Sequence, residues 1–114
     1  MDRLHGRLLM GRIPPRYLIH EITVEPYVGE SSTGSLYGAS TAVPCLLDEQ
    51  TRAVRTPGGE QVTSTSTAYA SLATVAPPLS RVTLPDGRTT TVIQAKRRDG
   101  KRLGTPNHLE IQLE

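Results

Sequence analysis

The sequence predicts an all-β fold: a small antiparallel β-barrel of about seven short strands, with a long inter-strand loop, a protruding hairpin and an N-terminal arm. Three observations lead there. Short runs of β-branched residues alternate apolar with polar, most clearly in the closing "HLEIQLE". Ten Gly and nine Pro punctuate these runs at irregular intervals, as turn residues do. No segment sustains helical periodicity beyond one short turn near the N-terminus.

The elements follow in order. Residues 1–17 form an arm: "DRLHGRLLMG" places Leu4, Leu8 and Leu9 on one side of a short helical turn, and Pro14 and Pro15 end it. A single barrel domain occupies 18–114. "LIHEITVEP" (18–26) is a strand with Leu18, His20, Ile22 and Val24 on one face. "YVGESSTGSLYG" (27–38) is a Gly/Ser/Thr loop framed by two tyrosines, long for a compact β domain. "STAVPCLLDE" (40–49) is a strand with Val43, Cys45 and Leu47 inward; Pro44 makes it an edge strand or a bulged one. Residues 50–69 form a hairpin around "TPGG". "APP" at 76–78 breaks the chain. "SRVTL" and "RTTTVIQAKR" then flank "PDG", the pattern of a three-residue hairpin loop with Gly in a left-handed conformation. After the loop "RDGKRLGTPN", Leu109, Ile111 and Leu113 face the core from the last strand.

The 114 residues suit one domain, and the core materials are aliphatic: there is no Phe, no Trp and only four Tyr. A core of that kind gains from neighbouring subunits, which favours an oligomer. One cysteine excludes an internal disulfide, and Cys45 within "AVPCLL" reads as a buried structural thiol. No apolar run reaches the ~20 residues that span a bilayer, and the apolar part of "RLHGRLLMGRIPP" is too short for a signal peptide. The expectation is a soluble protein of a reducing compartment, with no membrane partner. Net charge is +2, unevenly spread: +3 over residues 1–17, −4 over 18–80, +5 over 81–102 and −2 over 103–114. Surfaces of both signs suit stacking of unlike faces or contact with a polyanion.

Catalysis finds no support. His5, His20 and His108 are far apart, none at metal-ligand spacing, and His20 reads as a satisfied core histidine. "TPGGEQ" lacks the Lys-Ser/Thr of a phosphate loop, no GxSxG occurs, and Asp48 and Glu49 point to opposite faces of a strand. Neither catalytic nor metal-binding residues are expected, no cofactor is implied, and the chain is not expected to be an enzyme. The basic run around Lys96, Arg97, Arg98, Lys101 and Arg102 can touch phosphates, but no aromatic residue interleaves with it. Contact with nucleic acid there would be electrostatic and blind to sequence.

The order of the motifs carries a resemblance. "H-x-I-T-V-E-P-Y" comes first, then a Gly/Ser loop ending "YG", then "AVPCLLDEQTRAVRTPGGEQVTSTSTAYA", "RVTLPDGRTTTVIQAKRRDG" and a closing "TPNHLEIQLE". Over residues 17–114 the chain resembles the head-to-tail stopper, or head-closure, proteins of tailed bacteriophages, particularly siphophages of actinobacteria. The resemblance implies a β-barrel that forms a homo-oligomeric ring, six-fold by analogy with tail symmetry or twelve-fold like a portal. Such a ring joins the connector adaptor and portal on one side to the tail terminator on the other. It closes the filled head, docks the tail and passes genomic double-stranded DNA at ejection. The implied location is the virion head-to-tail interface, with assembly in the host cytoplasm. By position, the channel-facing element is the hairpin carrying Arg52, Arg55, Thr56, Pro57, Gly58 and Gly59, with the 27–38 loop as its rival. Subunit or partner contacts fall on Arg3, Arg7, Arg12, Tyr27, Tyr37, Lys96, Arg97, Arg98, Lys101 and Arg102. Two other readings stay open: a tail-terminator or adaptor ring of the same connector, and a small SH3- or OB-like nucleic-acid-binding module.

Overall fold

The computed structural model describes residues 15–98 and 107–114. The expected helical turn at the N-terminus, the contact residues Arg3, Arg7 and Arg12, and Lys101 and Arg102 in the last loop lie outside the described residues.

The fold is all-β and its centre is a closed antiparallel barrel of six strands. Ten strands are described: β1 His20–Glu25, β2 Tyr27–Ser31, β3 Gly34–Tyr37, β4 Thr41–Asp48, β5 Arg52–Arg55, β6 Gln61–Ser64, β7 Ser66–Ala70, β8 Arg81–Thr83, β9 Thr89–Arg98 and β10 His108–Leu113. Around the barrel the order is β1-β4-β7-β10-β9-β8, while β2-β3 and β5-β6 are separate two-stranded hairpins. Closure removes the sheet edges that would otherwise invite pairing.

The core explains why the chain needs no Phe or Trp. Ile22, Val24, Val43, Cys45, Val82, Val92, Leu109, Ile111 and Leu113 point inward and are almost fully buried. β7 opposes them with small residues: Ala70 faces both Leu109 and Cys45, Ala68 faces Ile111 and Leu47, and Ser66 faces Leu113. A six-stranded barrel is narrower than the eight-stranded kind that side chains just fill. Large aliphatics on β10 against small residues on β7 fill it without rings. Ala76, from the 71–79 connection, joins the same core.

The two Pro-Xaa-Gly loops take one form. Leu84 and Arg88 close the loop Pro85-Asp86-Gly87, with Leu84 N–H donating to Arg88 O at 2.8 Å and Gly87 N–H to Leu84 O at 2.9 Å. Thr56 and Glu60 close Pro57-Gly58-Gly59 in the same way, at 2.8 and 2.9 Å. Gly87 and Gly59 sit at φ 94° and 93°, the left-handed position that favours glycine.

Three expectations change. The 27–38 segment is a hairpin rather than a loop, because its Gly/Ser composition hides a ladder from Tyr27↔Tyr37 to Ser31↔Gly34. The 50–69 hairpin ends earlier: its return arm breaks at Thr65, and residues 66–70 leave it to become a barrel strand. A bulge at Gln112/Leu113 places two residues, Ile93 and Gln94, between the inward Val92 and Ala95, and Ile93 is buried outside the barrel's core cluster. The strand carrying Pro44 is neither an edge strand nor a bulged one: β4 lies within the closed barrel between β1 and β7. Pro44 pairs with Glu21 of β1, but the ladder with β7 begins only at Cys45, so its missing donor costs no rung there.

Candidate functional site

The site residues expected from the sequence fall on three surfaces around the barrel. The β2-β3 hairpin leaves the barrel at the Glu25 end, and the β5-β6 hairpin leaves it at the Asp48 end. Because β1 and β4 are antiparallel with Val24 opposite Thr41, these are opposite ends.

The β5-β6 hairpin is held at its base. Ser64 is fully buried, and its hydroxyl proton is shared between Leu113 O at 2.8 Å and Ser66 O at 2.9 Å. Thr65 Oγ1 donates to Glu114 O at 2.8 Å. One face of the hairpin turns to the barrel: Val54 is buried, and Gln94 Nε2 donates to Arg55 O. A cleft of about 260 Å³ remains between the tip residues Thr56 and Pro57, Val62, and the barrel residues Leu79, Val92 and Ile93. Arg52 and Arg55 part company here. Arg52 is neutralised by Asp48 at 3.1 Å and also bonds Gln50. Among the described residues the Arg55 guanidinium meets only a backbone carbonyl, that of Gly59 at 2.8 Å, and no carboxylate. Arg55 is therefore the hairpin cation left to meet an anion.

The β2-β3 hairpin is amphipathic. Tyr27 and Tyr37 meet edge-on at 6.3 Å, Tyr27 Oη donates to Glu30 Oε2 at 2.7 Å, and Ser35 Oγ donates to the same oxygen at 3.0 Å. That hydrogen bond raises the Tyr27 phenol above its ordinary pKa. The Arg81 guanidinium lies 4.5 Å from the centre of the Tyr37 ring and pairs with Glu25 at 2.5 Å. The bond from Arg81 holds the Glu25 carboxyl below its usual range. The bulge at Val28 puts Val28 and Leu36 on the other face, 64% and 47% exposed. The two tyrosines are thus spent on holding the hairpin, and its apolar contact residues are Val28 and Leu36.

The basic surface is thinner than its sequence suggests. Arg98 pairs with Glu110 at 2.9 Å, and Arg97 reaches Leu72 O at 3.4 Å. Lys96, opposite Glu110 on the ladder, has no carboxylate within ion-pair distance among the described residues. His20 Nδ1 accepts the Leu47 N–H at 3.0 Å. Cys45 is fully buried, and burial, with the Glu21 charge second, pushes its thiol up to about 11. Among the described residues no group of three His, Cys, Asp or Glu side chains could hold a metal ion, and no helix is long and apolar enough to cross a membrane.

Sequence reasoning missed a second groove, of about 280 Å³, between the first half of β4 (Thr41–Pro44) and the Ala73–Val75 loop. It also missed the turn at 77–80. Ser80 N–H donates to Pro77 O at 3.1 Å around Pro78 and Leu79, and Leu79 stands at φ 75°. Pro at the second position was a turn signal, but the third position of such a turn normally calls for Gly or Asn. No family model matches the chain, and no curated protein is similar to it.

Proposed function

We propose that the chain is a ring-forming structural protein of the head-to-tail connector of a tailed bacteriophage, a stopper that closes the filled head and docks the tail. The observation that supports this best is the pairing of a small closed barrel with two hairpins at its opposite ends. A barrel without edges makes a rigid body, and hairpins at opposite ends let unlike faces meet the next subunit or the next ring. The order of sequence motifs from Tyr17 to Glu114 agrees with that role. In this reading the β5-β6 tip, with Arg55 and the Pro57-Gly58-Gly59 loop, faces the channel and makes non-specific contact with double-stranded DNA. The adaptor and portal lie on one side of the ring and the tail terminator on the other.

A phage lacking the chain is expected to accumulate filled heads that lose their DNA, alongside free tails. Joined, infectious particles from that phage would overturn the reading.

Lys96 and Arg97, which pair with no carboxylate among the described residues, favour one second reading, a module that binds nucleic acid electrostatically. It requires the isolated chain to bind duplex DNA at low salt with affinity that falls steeply as salt rises.

A further inference from the structure

Four outward-facing side chains form one row across the barrel wall. They are Asp48 of β4, Thr67 of β7, Gln112 of β10 and Gln94 of β9, each opposite the next on its ladder. β5 is tied to both ends of that row. Arg52, at its start, pairs with Asp48 at 3.1 Å, and Arg55 O, at its end, accepts from Gln94 Nε2. The two middle residues face away from the core, yet Thr67 is 1% exposed and Gln112 7%. β5 therefore lies across the wall as a strap and covers them. Val54 on the strap and Ile93 on the wall are buried as well, and neither belongs to the barrel's core cluster.

The seam beneath the strap is poorly suited to permanent burial. Gln112 Oε1 is buried with no hydrogen-bond partner among the described residues, and a buried acceptor left unpaired carries a desolvation penalty. Among the described strands β5 and β6 form a ladder only with each other. Near the tip a cleft separates Pro57 and Val62 from Leu79 and Ile93, and Leu79 is half exposed. The base is held differently. Ser64 and Thr65 bind it to the end of β10 through Leu113 O and Glu114 O. The hairpin is also braced within itself, by Arg55 to Gly59 O at 2.8 Å and by Thr56 N–H to Glu60 O at 2.8 Å. A fixed base, a self-braced arm and a weakly held span make a hinge.

We propose that the β5-β6 hairpin is a releasable strap, which lifts from the Thr67-Gln112-Gln94 row about its base at Ser64 and Thr65 while the barrel stays folded. Gln94 is the latch. Gln112 favours release, because lifting returns its Oε1 to water. Opening of this kind is a local event of lower free energy than global unfolding. It goes beyond the ring reading and does not depend on it.

Cys45, fully buried in the core, is a built-in reporter of global unfolding. Val54→Cys adds a second thiol under the strap. Pulse alkylation of the folded, full-length chain with iodoacetamide, resolved by peptide mass spectrometry across low urea concentrations, reads both. The thiol at position 54 should react at least about tenfold faster than Cys45. Its rate should be nearly independent of urea, whereas the Cys45 rate should climb with global unfolding. In that background Gln94→Ala should speed position 54 about fivefold and Gln112→Met should slow it about fivefold, each the equivalent of one net hydrogen bond. Ile93→Cys places the thiol on the wall side of the seam and takes over if Val54→Cys does not fold. Equal rates for both thiols at every urea concentration would overturn the strap, as would a rate at position 54 that neither substitution moves.

Discussion

The Leu79 amide donates to the Val92 carbonyl at 2.8 Å, and it does so from a left-handed backbone at φ 75°. A side chain at that φ costs on the order of 1 kcal/mol or more, yet Leu79 is half exposed and adds little to the core. The bond, with its return partner from Val92 N–H to Ser80 O at 2.9 Å, extends the β8-β9 pairing beyond Arg81. The strain is the consequence of turning the chain within four residues after two prolines.

Replacing Leu79 by Gly should therefore raise the melting temperature. Leu79→Val should lower it, because a β-branched residue is worse still at positive φ. The expected order in thermal melts is Gly, then Leu, then Val. A Gly variant less stable than wild type would show that the side chain contributes more than the backbone strain removes.

Two serines separated by one residue should respond with opposite signs. Ser64 is buried with its hydroxyl bonded to two carbonyls, whereas Ser66 Oγ is buried with no partner. Ser64→Ala should cost about 1 kcal/mol, and Ser66→Ala should be neutral or stabilising. Chemical denaturation of the two variants beside wild type measures both.

The two glycine loops report whether the hairpin and barrel unfold together. A Cβ on Gly59 or Gly87 would meet nothing within 4 Å, so alanine there adds backbone strain alone. Each substitution should cost about 1 kcal/mol. Equal losses in global stability mean one cooperative unit. A smaller loss for Gly59→Ala means that the β5-β6 hairpin frays before the barrel melts.

Cys45 governs part of the alkaline limit. Its thiol pKa is raised from 9.0 to about 11 in the fold, chiefly by burial. The folded chain holds the proton more tightly, so this stabilisation is complete below about pH 9 and is lost as pH climbs to about 11. Stability measured across that window should fall by on the order of 2–3 kcal/mol from this group. The fall should be shallower in Cys45→Ala, after allowance for that variant's lower starting stability. The native thiol should also resist alkylation at neutral pH until the chain unfolds.

Arg55 and Arg52 should separate in any DNA contact. Arg52 is neutralised by Asp48, and Arg55 is not. Arg55→Ala should weaken low-salt binding to duplex DNA and reduce its salt dependence more than Arg52→Ala does. Equal effects would mean that the Asp48 pair opens on contact.

Much of the barrel was legible in the sequence because local patterning decides it. The alternation of Ile22 with Val24, of Val43 with Cys45, and of Leu109 through Leu113 sets which side faces inward. The Pro-Asp-Gly signature sets a three-residue loop with its left-handed Gly87. The buried thiol and the satisfied His20 followed from the company those residues keep. The tertiary structure decided what depends on partners distant in the chain. The bulge that puts both Ile93 and Gln94 between the inward Val92 and Ala95 arises between β9 and β10, and no alternation within either strand announces it. The 27–38 segment folds as a hairpin because its polar face is anchored by Arg81 and Ser80, more than forty residues downstream. Arg52 and Arg55 look alike in the sequence, and only the position of Asp48 separates a neutralised cation from one left to meet an anion. The first half of β4 outruns its neighbour because β7 ends at Ala70, opposite Cys45. Sequence patterns encode which face of a strand seeks the core; ladder lengths and charge pairs are settled only when the strands meet.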